Sequence, residues 1–319
     1  MILLAVSGGI DSMYLMHMAP RLFPGASFAA AHCNFRLRGE ESDGDEAFVR
    51  EACAEKGLPC FVKRFDTAAK AAGEGISIEM SARELRYGWF AELCRGSAEE
   101  LARSGITGFE AVAVAHNAND NAETLLLNLL RGCGIRGLCG MKEAGNIPGA
   151  PDIPLLRPML GISRAEISAH MQANGLQWRE DSTNAVNDCK RNIIRNELFP
   201  LLESINPAFL RTVGQDIVHF SAGNAILEDY AAGFFGTAGD IRTDGLKIDD
   251  LLSRRHWKFL LWYALEPFGF SGPTMEKLTA LLERYASEPR GTVTIGGKTF
   301  ESPDWTLQIH KGKLILNTR

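Results

Sequence analysis

The first 22 residues constrain the fold more than any other stretch. Residues 2–6, ILLAV, are a short apolar run that breaks at once into Ser7-Gly8-Gly9-Ile10-Asp11-Ser12. A helical pattern follows from Ser12 to about Met18. An apolar run of that length ending at a glycine turn reads as a buried strand. A strand that passes directly into a helix is the opening half of a βαβ unit. The alternation continues. Strands are predicted over 27–35 (SFAAAHCNF), 58–65 (LPCFVKRF) and 109–116 (FEAVAVAH), with helices over 42–56, 78–95 and about 121–130. Ser42 is placed as the N-cap of the second helix, with Asp45 completing a capping box and Gly57 stopping it. The fold class expected is α/β, with a doubly wound, mainly parallel sheet. Ligands of such sheets bind beyond the carboxyl ends of the strands.

The Gly- and Pro-rich segment 143–154 (EAGNIPGAPDIP) reads as a flexible loop near the sheet edge. Ser163 to Glu166 forms a second capping box, opening a helix that stops near Gly175, and a further helix covers about 188–202. After about residue 215 the pattern changes. A helix over about 216–232 leads to a Gly-rich joint (AGFFGTAGD), then helices over about 249–265 and 273–285. An alternating stretch turning at Gly296-Gly297 and Lys311-Gly312 reads as a small antiparallel meander. Two domains are expected, 1–215 and 216–319, the second smaller and of α+β type.

Bulk properties matter here for what they exclude. A net charge of -5 argues against a protein that coats nucleic acid nonspecifically, while leaving room for a local basic groove. The seven cysteines are odd in number, irregularly spaced and without a CxxC, so neither a disulfide framework nor a zinc ribbon is expected. They suit core thiols of a reducing, cytoplasmic compartment. No signal peptide is expected before the first strand, and no apolar run is long enough to span a bilayer.

The opening turn suits a phosphate chain. Glycines let the backbone approach, N–H groups converge in one concavity, and the following helix adds its positive end. Ser7 and Ser12 add hydroxyls. Asp11 would repel phosphates unless it holds Mg2+ between them. The lysine of a Walker A loop is absent. SGGxDS between a strand and a helix resembles the PP-loop (N-type ATP pyrophosphatase) superfamily, which cleaves ATP between its α and β phosphates.

Three further clusters carry polar side chains. In 115–141 (AHNANDNAETLLLNLLRGCGIRGLCGM), His116 ends a strand, and Asp120 and Glu123 share a helical face. The group suits Mg2+, an amine or proton transfer, and equally an ordinary acidic helix start. In 79–90 (EMSARELRYGWF), Glu79, Arg83, Arg86 and Tyr87 share a face that suits either a phosphate or tRNA clamp or a salt-bridged surface. In 179–202 (REDSTNAVNDCKRNIIRNELFPLL), Arg191 and Arg195 lie one turn apart, a phosphate-binding pair or a basic surface.

Taken in order, these clusters, the stretch HCNFRLRGEESDGDEAFVR and the heptapeptide PLLRPML (154–160) resemble the tRNA(Ile)-lysidine synthetase family over about residues 2–202. Phe35 stands where that family has a second histidine, and Asn117, Asn119 and Asn121 depart from its AHHxDDQxET pattern. The resemblance implies an adenine nucleotide alpha hydrolase-like fold and the substrates ATP with Mg2+, L-lysine and the CAU-anticodon tRNA(Ile). It implies ATP binding by Ser7, Gly8, Gly9, Ile10, Asp11 and Ser12, metal at Asp11, and lysine at Asp120 and Glu123. Catalysis falls to Asp11, His116, Asp120 and Glu123, with the base unassigned. Arg83, Arg86, Arg191 and Arg195 would grip phosphates of ATP or tRNA. In the second domain, Arg254, Arg255, His256 and Lys258 are candidates for tRNA contact, with Trp257 as core. No membrane partner is expected, and a homodimer is one assembly left open. Two rival readings stand beside this one: a PP-loop tRNA thiolase, for which Cys133 and Cys139 would have to meet, and a non-catalytic ATP sensor.

Overall fold

The structure is a computed structural model that describes residues 1–102, 104–180, 190–239, 241–289, 292–293 and 295–319. The chain divides into two compact units, Met1–Ser221 and Ala222–Arg319.

The first unit is built on β1 (Ile2–Ala5), β2 (Phe28–Asn34), β3 (Cys60–Arg64), β4 (Ala111–Ala113), β5 (Ala144–Ile147) and β6 (Ala150–Leu156). Their order is β3-β2-β1-β4-β6-β5, parallel throughout except for β5 at the edge. The strands alternate strictly. Leu3, Ala29, Ala31 and Val112 face one core with Trp89 and Phe90 of α4 (Ile78–Cys94). Ile2, Leu4, Ala30 and Ala113 face the other, with Met13 and Leu15 of α1 (Ile10–Leu22) and Ile167 of α7 (Arg164–Ala173). Both faces are thus covered, as a parallel sheet requires. The remaining helices are α2 (Glu40–Glu55), α3 (Thr67–Glu74), α5 (Ala118–Arg131), α6 (Ile135–Leu138), α8 (Lys190–Ile193), a π-helical turn (Ile194–Leu198) and α9 (Phe199–Ile205).

Chain order runs outward to β3 on one side of β1 and outward through β4 on the other. The connection therefore reverses between β1 and β4, and the crevice outside their carboxyl ends is the expected ligand position.

Four local expectations are corrected. Segment 143–154 is a hairpin that extends the sheet. Pro148 and Gly149 (φ 80°) form its two-residue turn, and β6 pairs in parallel with β4. Ser42 lies inside α2, which starts after Gly39. Its Oγ accepts from the Arg38 N–H at 3.2 Å, so it satisfies a donor upstream of the helix. The Gly-rich joint is helical, because α10 (Phe209–Ala238) continues through it and buries Ala231 and Phe234. The stretch 249–265 is two helices, α11 (Ile248–Leu252) and α12 (Trp257–Leu265).

In the second unit, α13 (Gly272–Ser287) and the two helices above accompany β7 (Leu246–Lys247), β8 (Thr299–Glu301), β9 (Trp305–His310) and β10 (Lys313–Thr318). The sheet order is β7-β10-β9-β8, all antiparallel, with Lys311-Gly312 turning β9 into β10. Leu307, Ile309, Leu314 and Leu316 pack with Leu260, Leu278 and Leu282.

Candidate active site

A cavity of about 930 Å³ opens at the crevice between β1 and β4. Its wall includes Ser7, Gly9, Ile10, Asp11, Ser12, Arg86, His116, Asp120 and Arg195. Most come from the end of a strand or the start of a helix, while Arg86 lies midway along α4 and Arg195 in the π-helical turn. Segments distant in sequence therefore meet because the sheet places their carboxyl ends side by side.

The glycine loop is held from inside. Ser12 Oγ accepts the N–H groups of Ser7 and Gly8, each at 3.1 Å, and donates to the Gly9 carbonyl at 2.9 Å. Ser12 is buried and therefore shapes the loop. Gly8 has φ 97°, a conformation that side chains rarely adopt. Its carbonyl accepts from Arg179 N at 3.0 Å, and the Arg179 guanidinium pairs with Asp45. Asp45 also pairs with Arg38 at 2.7 Å.

Asp11 sits in the wall with both oxygens engaged. Oδ1 accepts from Asn117 Nδ2 at 3.1 Å, and Oδ2 pairs with Arg164, in the first turn of α7. Burial raises its carboxyl above the usual carboxylate range, against the pull of Arg164. The three asparagines at the start of α5 are structural links. Asn117 caps the helix in a capping box with Asp120 and reaches Asp11. Asn119 Oδ1 accepts from Arg164 N at 2.9 Å, and Asn121 Oδ1 accepts from Met141 N at 2.7 Å.

Glu123 is fully buried. Its Oε1 accepts from Arg195 Nε at 2.8 Å and lies 2.7 Å from Arg195 NH2. The same NH2 stands 3.4 Å from Asp120 Oδ1. Glu123 Oε2 has no hydrogen-bond partner among the described residues. Burial raises the Glu123 carboxyl above its ordinary range, with Arg195 opposing. His116 accepts at Nδ1 from Arg157 Nε, 3.2 Å away, and burial depresses its pKa to about 4. Phe35, at the position of the family's second histidine, lines the cavity. It stacks on Phe65 with centroids 5.6 Å apart and carries the Arg86 guanidinium at 5.3 Å.

Four of the candidate site residues, Gly8, Arg83, Glu123 and Arg191, lie outside the lining of this cavity. Arg83 stacks on Tyr87 at 4.9 Å. Arg191, on α8, acts on His116 through its charge. Gly8 is the loop's inner corner. Sequence reasoning missed Arg157, Arg164, Arg179 and the linking role of Asn117. Arg157 lies in the quoted heptapeptide and Arg164 in the quoted capping box, so the signal was present without a role attached. The motif DSTN and Cys189 lie outside the described residues.

Among the described residues, no group of three or more His, Cys, Asp or Glu is placed to hold a metal by itself. Mg2+ arriving with a triphosphate needs only one or two carboxylates, because it keeps several waters. Asp11 and Asp120 both line the cavity and fit that requirement. Of the described cysteines only Cys33 lines it, and burial pushes that thiol up to about 12. Cys139 is buried and donates to the Ile135 carbonyl, while Cys133 is exposed. No described helix is long and apolar enough to cross a membrane. In the second unit, Lys258 pairs with Glu283, Arg254 lies over the Phe234 ring at 5.4 Å, and Trp257 packs on the core.

Comparison with known proteins agrees with this geometry. Residues 1–202 match the PP-loop domain, and residues 242–319 match the TilS substrate binding domain. A tRNA(Ile)-lysidine synthase of Bacteroides thetaiotaomicron is 35% identical over 99% of this chain and 67% of its own length. Those of Porphyromonas gingivalis and Chlorobaculum tepidum are 39% and 44% identical, over 89% and 63% of this chain. The matches span 58% and 56% of those two relatives. With both domain types present in order and a nucleotide-sized crevice at the PP-loop, the chain belongs to the tRNA(Ile)-lysidine synthase family.

Proposed function

We propose that this chain joins L-lysine to C2 of the wobble cytidine of the CAU-anticodon tRNA(Ile). Cytidine O2 attacks the α phosphorus of ATP and pyrophosphate leaves. The ε-amine of lysine then attacks C2, the C2–O2 bond breaks, and AMP departs carrying that oxygen. The products are lysidine, AMP and pyrophosphate. One observation carries the reading. A glycine loop, two carboxylates and a cationic wall share a single cavity at the sheet's switch point, in a chain of this family.

In this reading the Ser7–Ser12 loop holds the leaving pyrophosphate, with the start of α1 adding its positive end. Mg2+ accompanying the triphosphate would sit at Asp11 and offset charge that develops on the leaving group. Arg164, already on Asp11, opposes the upward push of burial on that carboxyl. Arg86 and Arg195 face the cavity and receive phosphate oxygens, and Arg83 and Arg191 extend the basic rim toward the tRNA. Asp120 and Glu123 receive the lysine ammonium. Asp120 lines the cavity, and Glu123 lies behind it, fully buried and joined to Asp120 through Arg195.

The thiolase reading has no support from a cavity whose one cysteine among the described residues, Cys33, is held as a thiol. Pyrophosphate release measured with ATP, Mg2+, lysine and a CAU-anticodon tRNA(Ile) transcript, each omitted in turn, tests the proposal. Release that depends on the tRNA, with lysine retained on it, is expected. ATP binding with turnover indifferent to tRNA and lysine would overturn it and favour the sensor.

A further inference from the structure

The base that frees the lysine amine is unassigned among Asp120, Glu123 and His116, and the contact at His116 bears on it. Arginine carries five N–H donors and no lone pair. Where Arg157 Nε meets His116 Nδ1 at 3.2 Å, the imidazole nitrogen must be the acceptor. A neutral ring that accepts at Nδ1 holds its proton on Nε2. Arg157 is itself held in place. Its NH1 donates to the Lys142 carbonyl at 3.0 Å, and its backbone N–H donates to the Glu143 carbonyl at 2.7 Å.

We propose that Arg157 is a positioning residue that fixes His116 in its Nε2–H tautomer, making the imidazole a hydrogen-bond donor to bound substrate and removing it from the candidates for the base. The inference rests on the ligase reading for its substrate, while the tautomer itself does not. His116 lines the cavity and Arg157 does not, so Arg157 acts through the ring. The charged groups facing the ring are Asp120 from α5, Arg86 from α4, Arg191 from α8 and Arg157 beyond β6. Three guanidiniums against one carboxylate, together with burial, keep the ring neutral at physiological pH. With Nδ1 already accepting, no lone pair remains to take a proton from the ammonium. A neutral N–H in a cationic wall suits an anionic phosphate oxygen. Of the other two candidates, Asp120 lines the cavity.

The test needs no substrate. Long-range 1H–15N correlation on the full chain, labelled at its seven histidines, reads each ring's tautomer, and His116→Gln identifies the signal. The expected spectrum has a pyridine-like Nδ1 and a pyrrole-like Nε2, unchanged between pH 6 and 8. Arg157→Met should move both signals toward a tautomer average. Arg157→Lys, which retains a donor, should preserve the pattern and guards against misfolding of the first variant. In the pyrophosphate assay Arg157→Met should lower kcat by about tenfold or more, with a smaller change in KM for ATP. A protonated Nδ1 in the parent chain, or unchanged signals in Arg157→Met, would overturn the proposal. Failure of the ligase reading would leave the spectrum as predicted, so the two failures are distinguishable.

Discussion

Replacing Arg195 by Met tests how the acidic pair is held. Glu123 is fully buried, and two nitrogens of Arg195 lie within 2.8 Å of its Oε1. Removing one partner of a buried pair costs about 3–5 kcal/mol, because a charge is left unpaired. The Arg195 side chain keeps 33% of its exposure, so water and screening reduce that figure. We expect about 2–3 kcal/mol. The sign with pH follows from Glu123. Its carboxyl is already raised by burial and Arg195 opposes the rise, so the variant raises it further. A group raised in the folded state stabilises fully below its unfolded value and loses that stabilisation as pH climbs. The deficit relative to the parent should therefore be small near pH 5 and grow toward pH 8. Hydrogen exchange of the α5 amides in a urea series measures this locally, which avoids assuming one transition for two units. The double variant Arg195→Met with Glu123→Gln removes the unpaired charge and should recover at least half the loss. A deficit that ignores pH, or a double variant no more stable than the single, would refute the reasoning.

Three further outcomes follow from the same geometry. Asn117→Ala removes a helix cap and the bond to Asp11, and should cost about 1–2 kcal/mol in urea denaturation; a loss below a few tenths would mean the cap is not used. Gly8→Ala adds a Cβ 3.4 Å from Val49 at φ 97°. Strain of about 1 kcal/mol or more should reshape the loop, and ATP titration should read a weaker affinity than in the parent. Among the described cysteines, iodoacetamide at pH 8 should modify exposed Cys133 well before Cys33, whose thiol is pushed up to about 12; mass spectrometry showing the reverse order would contradict the burial argument.

The parallel sheet was legible because its strands are short apolar runs punctuated by glycine, and the helices because their faces repeat. Segment 143–154 was misread for a physical reason. Pro and Gly signal a turn, but they do not say whether the flanking residues pair, and here Ala150–Leu156 finds β4. Ser42 has the composition of a cap, yet Gly39 at φ 55° turns the chain into the helix one turn earlier. Of the motif residues singled out by type and spacing, Asp11, His116 and Asp120 come together in one cavity, while Glu123 is buried behind it. Arg157 and Arg164 were not legible as partners. Each meets its acid or imidazole across the sheet, 41 and 153 residues away in sequence. Local patterns hold no information at that distance. Asn117 looked like the loss of a histidine, and only the fold shows it joining α5 to Asp11.

The most direct test of the central claim is nucleoside analysis by mass spectrometry of a CAU-anticodon tRNA(Ile) transcript after incubation with the chain, ATP, Mg2+ and lysine. The account predicts one cytidine, at the wobble position, heavier by one lysine less one water, and dependent on every component. An unmodified transcript, with ATP bound and the chain folded, would contradict it.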